Sequence, residues 1–229
     1  MNSGKKTLES MSQAVWYNDW ILKRFKEYLH GDILEIGCGI GNFAWLLSRY
    51  GKVWAVDIEK EYITETKQKV NGKVQVGLGD IEEGEYFFGD QKFDNIVCLN
   101  VLEHIKDDDR ALDNLFSLLK NKGRLILLVP SHKLLYGEID RSIDHYRRYD
   151  KSEIGKRLEK IGFKICRLRR LNFLGALGWF IAGKVLKETV VKRGNIKIFN
   201  LVAPAFLRME KFIEPPLGIS VLAVAQKVC

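Results

Sequence analysis

The sequence predicts an α/β domain in which a parallel sheet is covered by helices on both faces. Three observations carry this reading. From Asp32 onward short apolar runs alternate with longer helical patterns. The segment Asp107 to Leu119 shows complete helix signals, with aspartates at its start, apolar positions at Ala111, Leu112, Leu115, Phe116, Leu118 and Leu119, and a Lys-Asn-Lys-Gly exit. The chain, 229 residues without a low-complexity linker, is long enough for one sizeable core, so a single domain over 1–229 is expected.

The elements follow in order. An N-terminal segment, 10–30, reads as an amphipathic helix because Trp16, Trp20, Ile21, Phe25 and Tyr28 recur at helical spacing between Val15 and Tyr28. The strand DILEI then runs into GCGIG and the helical pattern GNFAWLLSRYG. KVWAVD, EKEYITETKQKV, KVQVGLGD and FDNIVCLN continue the alternation, and RLILLVP follows the Asp107 helix. Beyond it lies IDHYRRYDKSEIG, dense in aromatic and basic side chains, then a helix near Lys151 to Lys160 stopped by Gly162 and a strand FKICRLRRL. The last strand is ISVLAVAQKV.

Charge is unevenly placed. Residues 1–140 sum to −4 and residues 141–229 to +12, which favours an anionic partner for the second part, whether nucleic acid, a phosphorylated small molecule or an acidic membrane surface, beside the plain alternative of a soluble basic face. No apolar run with a small-residue cleavage pattern opens the chain, so a cytoplasmic location is expected, at the inner face of the membrane if the basic part meets lipid. Cys38, Cys98, Cys166 and Cys229 lack CxxC spacing and read as reduced buried thiols.

Gly37, Gly39 and Gly41 make a turn at a helix N-terminus where backbone can approach a ligand closely. Glu35 sits two residues before the first glycine, and Asp57 ends the second strand, where a carboxylate suits ribose hydroxyls. Such a loop, with an acid beside it, tolerates a zwitterion better than a pyrophosphate. With ILEIGCGIGNF, LGDIEE, FDNIVCLNVLEHIKDDDRAL and KNKGRLILLVPS in this order, the sequence resembles the class I S-adenosylmethionine-dependent methyltransferases.

That resemblance implies a doubly wound, Rossmann-like sheet of seven strands whose last strand is antiparallel, with residues 172–217 as a helical insertion between strands six and seven. It implies S-adenosylmethionine as cofactor, with Glu35 and the glycine loop at its amino-acid end, Asp57 and Ile58 at the ribose, Asp80 and Ile81 at the adenine, and Asn100 and Leu102 beside the methionine part. Further likenesses are to ubiquinone-pathway O-methyltransferases in NVLEHIKD and to a subgroup associated with polyprenyl-phosphate glycosyltransferases. The Glu103-His104 pair also resembles small-RNA methyltransferases that hold a divalent ion, but Asn100 stands where those have a further glutamate, so no metal is expected.

Methyl transfer is an in-line displacement needing alignment and exclusion of water; a hydroxyl acceptor adds the loss of a proton. Of His30, His104, His132 and His145, His104 and His145 are the candidate bases, each weighed against a packing role. Arg147 and Arg148 are expected to clamp an anionic acceptor between Tyr136, Tyr146 and Tyr149, the alternative being that the segment is a solvated or helix-capping loop. Phe173 to Leu186 is too short to span a bilayer and suits an interfacial helix, a lid or a dimer contact. Together these point to O-methylation of a small, anionic or lipid-linked acceptor. Two rivals stay open: a nicotinamide-dependent oxidoreductase, and a non-catalytic RNA- or membrane-binding module, although no aromatic stacking motif supports RNA.

Overall fold

A computed structural model of the chain describes residues 15–188, 199, 203–210 and 212–228. Parts of the expected N-terminal segment and of 172–217, and Cys229, lie outside the described residues. Eight strands form one sheet, β1 (Asp32–Ile36), β2 (Lys52–Asp57), β3 (Val74–Asp80), β4 (Glu85–Tyr86), β5 (Phe93–Leu99), β6 (Leu119–Pro130), β7 (Phe163–Leu171) and β8 (Ser220–Lys227), in the order β4-β3-β2-β1-β5-β6-β8-β7. The sheet therefore has one strand more than expected. The addition is β4, a two-residue edge strand antiparallel to β3 that pairs Gly79 with Tyr86 and Asp80 with Glu85.

β3, β2, β1, β5 and β6 are parallel neighbours, and β8 inserts antiparallel between β6 and β7. Chain order reverses between β1 and β5. In such sheets the crevice outside the carboxyl ends at that point is where ligands bind. Both faces are covered: Leu34, Ile36, Ile96, Cys98, Leu125 and Leu127 belong to one core, while Ile33, Val53, Ala55, Val97, Ile126 and Leu128 belong to the other.

Among the described residues the helices include α1 (Val15–Leu22), α2 (Ala44–Leu47), α3 (Lys60–Val70), α4 (Asp108–Leu118), α5 (Glu138–Ser142), α6 (Lys151–Ile161) and α7 (Phe173–Trp179), the last continuing as a π turn over Phe180–Val185, and residues 203–209 are helical as well. α4 starts as its sequence suggests, with the Asp107 side chain accepting from Arg110 N at 3.1 Å. The Lys-Asn-Lys-Gly run belongs to β6 rather than to a helix exit, since that strand begins at Leu119 opposite Phe93. α2 is a single turn where a longer helix was expected; Ser48 Oγ donates to the Trp45 carbonyl at 2.8 Å, a local bond that competes with the helical ladder. Cys38 and Cys98 are buried, whereas Cys166 is exposed on the edge strand β7, against expectation. Among the described residues no helix is long and apolar enough to cross a membrane.

The arginine-rich segment is tied to α4 by a buried carboxylate. Asp108 accepts from Arg147 at 2.6 Å on one oxygen, and from the Tyr149 hydroxyl at 2.7 Å and Arg157 at 2.8 Å on the other. Burial raises its carboxyl, but these donors outweigh it and hold the pKa below its ordinary value of 3.8. A depressed folded pKa stabilises the fold above 3.8 and loses that contribution as pH falls through the folded value. We expect D108N to lower unfolding free energy by about 3 kcal/mol at pH 7, read by urea denaturation, with the gap to wild type narrowing below pH 3.8.

Candidate active site

The carboxyl ends of β1, β2, β3 and β5 open into one cavity of about 1470 Å³. That exceeds what one drug-sized ligand fills, so the space suits two molecules side by side. One part of it is built on the glycine loop. Gly37, Gly39 and Gly41 all take positive φ, at 68°, 51° and 74°. A Cβ on Gly37 would stand 2.3 Å from Val101 Cγ2, so only glycine lets the loop lie against the β5 exit. Gly39 is held on both sides: its N–H donates to Asp57 Oδ2 at 2.8 Å, and its carbonyl accepts from the fully buried Thr66 hydroxyl of α3 at 2.7 Å. Thr66 escaped the sequence reading because a threonine inside an amphipathic helix carries no local signature.

Glu35 is buried on the cavity wall, and its Oε2 has no hydrogen-bond partner. Burial first, and Asp57 second, push its carboxyl up to about 8, while the Lys69 ammonium opposes the shift. Asp57 has both oxygens engaged, by Gly39 N and by Glu59 N at 3.0 Å, so it orders the loop as well as bordering the cavity. Asp80 Oδ1 accepts from Glu82 N at 2.8 Å and Glu83 N at 3.2 Å. Ile58, Asp80, Ile81 and Asn100 line the cavity, with Asn100 in the left-handed region at φ 54°. Leu102 does not: it is fully buried in the core, and the neighbouring Val101 takes the wall position.

The other half of the cavity gathers Glu103, His104 and His145 from two loops, with their potential ligand atoms all within 4.8 Å of one another. Glu103 is completely buried, and neither of its oxygens has a hydrogen-bond partner. Leaving such a group unpaired costs on the order of 1–3 kcal/mol for a neutral acid and more for an anion. The His104 and His145 rings meet edge to face at 4.6 Å. Desolvation, then His145, lowers the His104 pKa to about 4, so His104 is neutral near pH 7. A carboxylate and two imidazoles form an oxygen–nitrogen donor set suited to a divalent cation. The acid of this set is the residue beside His104 that spacing alone left out of the site.

The expected anion clamp is absent. Arg147 turns to Asp108 and the Lys106 carbonyl, which accepts at 2.8 Å. Arg148 is buried, donating to Asp140 at 2.8 Å and to the Ser131 carbonyl at 3.1 Å. Tyr149 lies in the core with its hydroxyl on Asp108, and the Tyr136 hydroxyl donates to the His145 carbonyl at 2.8 Å. Of these, Tyr146 and the buried Arg148 border the cavity, Tyr146 as an exposed wall, 57% accessible. The remaining wall is apolar and comes from α7 and the π turn, chiefly Leu174, Leu177, Trp179 and Ile181.

A family model described as a methyltransferase domain matches residues 14–168. An uncharacterized protein of Methanocaldococcus jannaschii is 29% identical over 157 residues, which are 69% of this chain and 65% of that protein, so about a third of the relative's length lies outside the match. A ubiquinone biosynthesis O-methyltransferase of Rickettsia bellii is 27% identical over 180 residues, 68% of this chain and 72% of that one. Among solved structures, the magnesium protoporphyrin IX methyltransferase of Synechocystis, with bound S-adenosylhomocysteine, matches with a TM-score of 0.58 at 19% identity, covering 97% of this chain and 86% of its own.

Glu35 generates a prediction independent of any ligand. Its folded pKa of about 8 lies above the ordinary value of 4.5, so between those values the folded state keeps a proton that the unfolded state has lost. Stability therefore falls as pH rises from 4.5 to 8. Thermal unfolding of the ligand-free protein should show wild type losing on the order of a few kcal/mol relative to E35Q over that window.

Proposed function

The chain belongs to the methyltransferase-domain family and is an S-adenosylmethionine-dependent methyltransferase, and on that premise we propose that it methylates a hydroxyl oxygen of a predominantly apolar acceptor, small or lipid-linked, beside a divalent cation held by Glu103, His104 and His145. One observation carries the reading. A completely buried carboxyl with both oxygens unpartnered faces two imidazoles in the half of the cavity away from the glycine loop.

Bound S-adenosylmethionine supplies a methyl carbon activated by sulfonium. The residues present fit it: the unpartnered Glu35 Oε2 offers an acceptor for a cationic amino group, and the glycine loop, Asp57, Asp80 and Ile81 line the adjoining wall. Because burial desolvates Glu35 and Glu103, opposite charges beside them attract more strongly than in solvent. The chain's other task is to present the acceptor oxygen in line with the methyl carbon. A cation held by Glu103, His104 and His145 would polarise that hydroxyl and ease loss of its proton to solvent. This assignment moves both histidines from general base to ligand and withdraws the expectation of a metal-free site. Neither the nicotinamide nor the non-catalytic reading is favoured.

Support for an apolar acceptor comes from the α7 wall and from the arginines being occupied elsewhere. The same segment exposes large apolar side chains to solvent, among them Met209 at 63%, Phe212 at 82% and Ile213 at 68%, in a stretch, 172–217, with seven basic and three acidic residues. Peripheral contact with an anionic membrane surface through this stretch follows from that combination.

The test is to incubate the protein with methyl-labelled S-adenosylmethionine and a total lipid extract. Label should enter the organic phase, fall at least about tenfold with EDTA and return to the untreated level on adding excess Mn²⁺, and fall at least about tenfold in E103Q. Chelator-insensitive labelling would remove the cation, and label confined to the aqueous phase would remove the apolar acceptor. Co-sedimentation with vesicles containing phosphatidylserine, lost in F212D and in high salt, checks the membrane contact; equal binding to neutral vesicles would oppose it.

A further inference from the structure

We propose that Asp140 is a positioning residue that presents Nε2 of His145 to the cluster and ties it mechanically to Trp179 in the wall that meets the acceptor. The inference rests on the reading that His145 belongs to the active site, and it concerns a carboxylate whose sequence neighbourhood carries no motif.

Asp140 is fully buried on the five-residue helix α5 and accepts four hydrogen bonds from four different places. Oδ1 takes His145 Nδ1 at 2.9 Å and Arg148 Nε at 2.8 Å. Oδ2 takes Gly137 N at 3.0 Å and Trp179 Nε1 at 3.2 Å. An ionised carboxylate is acceptor only, so His145 carries a proton on Nδ1, and in the neutral ring Nε2 is then the nitrogen with a free lone pair. That nitrogen lies 3.8 Å from Glu103 Oε1. The backbone of His145 is pinned as well, its N–H donating to the Asp140 carbonyl at 2.9 Å and its carbonyl accepting from Tyr136 at 2.8 Å. With the ring and its peptide both held, one tautomer and one orientation are imposed before any ligand arrives.

The coupling arises because the carboxylate is shared. Arg148 lies 4.9 Å over the Trp179 ring and also donates to the same Asp140 oxygen as His145. A shift of Trp179 thus disturbs both the hydrogen bond to Oδ2 and the guanidinium beside Oδ1. Leu177 and Ile181, on either side of Trp179, line the cavity. An acceptor that packs on this wall therefore presses on the group that aims His145.

Side-chain ¹H–¹⁵N spectra report the tautomer directly, and with only four histidines in the chain the signal is assigned by its loss in H145Q. Wild type should show His145 protonated on Nδ1. D140N should convert it to the Nε2-protonated form, as an amide can donate to Nδ1, and should weaken Mn²⁺ binding about 10- to 100-fold by titration. W179F keeps the Arg148–Asp140 pair and removes one hydrogen bond; it should give a mixed or broadened His145 signal and weaken Mn²⁺ about threefold, so it carries the test if D140N does not fold. An unchanged His145 tautomer in D140N overturns the positioning role, and an unchanged His145 signal in W179F overturns the coupling. Failure of wild type to bind Mn²⁺ would sink the cation reading while the tautomer measurement still decides the role of Asp140.

Discussion

Carboxylates without cations at the ends of parallel strands are the constraint on which the rest of the structure turns. Glu35 at the end of β1 and Glu103 just after β5 flank the point where strand order reverses, and both are buried with unpartnered oxygens. Desolvation raises each to about 8, so the unliganded fold keeps protons where an exposed acid would be charged. A cationic ligand reverses that balance, because a positive charge in a low-dielectric crevice favours the ionised form far more than it would in water. The fold thus stores a preference for positive charge in two separate places, one on each side of the switch point.

How the scaffold tolerates this strain is visible in the bonds around each acid. Gly39 is gripped by Asp57 and Thr66, which keeps the loop beside Glu35 from relaxing toward it. On the other side, the buried Arg148 is committed to Asp140 and Ser131, and no hydrogen bond from it reaches Glu103. Either acid could be quenched by a modest movement of a neighbour. The neighbours are instead held by third parties.

That Glu35, the glycine loop and Asp57 meet at one cavity was legible in the sequence because their spacing is local. The glycines, Glu35 and Asp57 follow one another along a strand, a turn and the next strand, and spacing alone brings them together. Leu102 was misplaced by one position, since the turn Leu102–His104 sends Val101 to the cavity and Leu102 to the core. The acceptor half was not legible for a different reason. Arg147 and Arg148 are adjacent yet face opposite ways, and each meets an acid that sequence proximity does not select: Asp108 lies 39 residues earlier and Asp140 eight. Asp140 itself looks like an ordinary surface aspartate in GEIDRS until the fold buries it.

Once the arginines are accounted for, the wall and the acids make one physical argument. An apolar wall beside the buried Glu35, Glu103 and His145 lowers the local dielectric, and so strengthens the electrostatic contacts those groups make in the cavity. The +12 of residues 141–229 does not contradict this, because Arg147 and Arg148 are spent on internal acids, while the described basic groups of 172–217, Lys184, Lys187 and Arg208, are exposed in a stretch that also exposes Val185, Leu186 and Met209. Net charge therefore describes the surface of this half and not its pocket. A phosphate placed in the cavity would meet Glu35, Glu103 and a guanidinium already bonded to Asp140; a neutral hydroxyl on an apolar body would meet groups able to hold it.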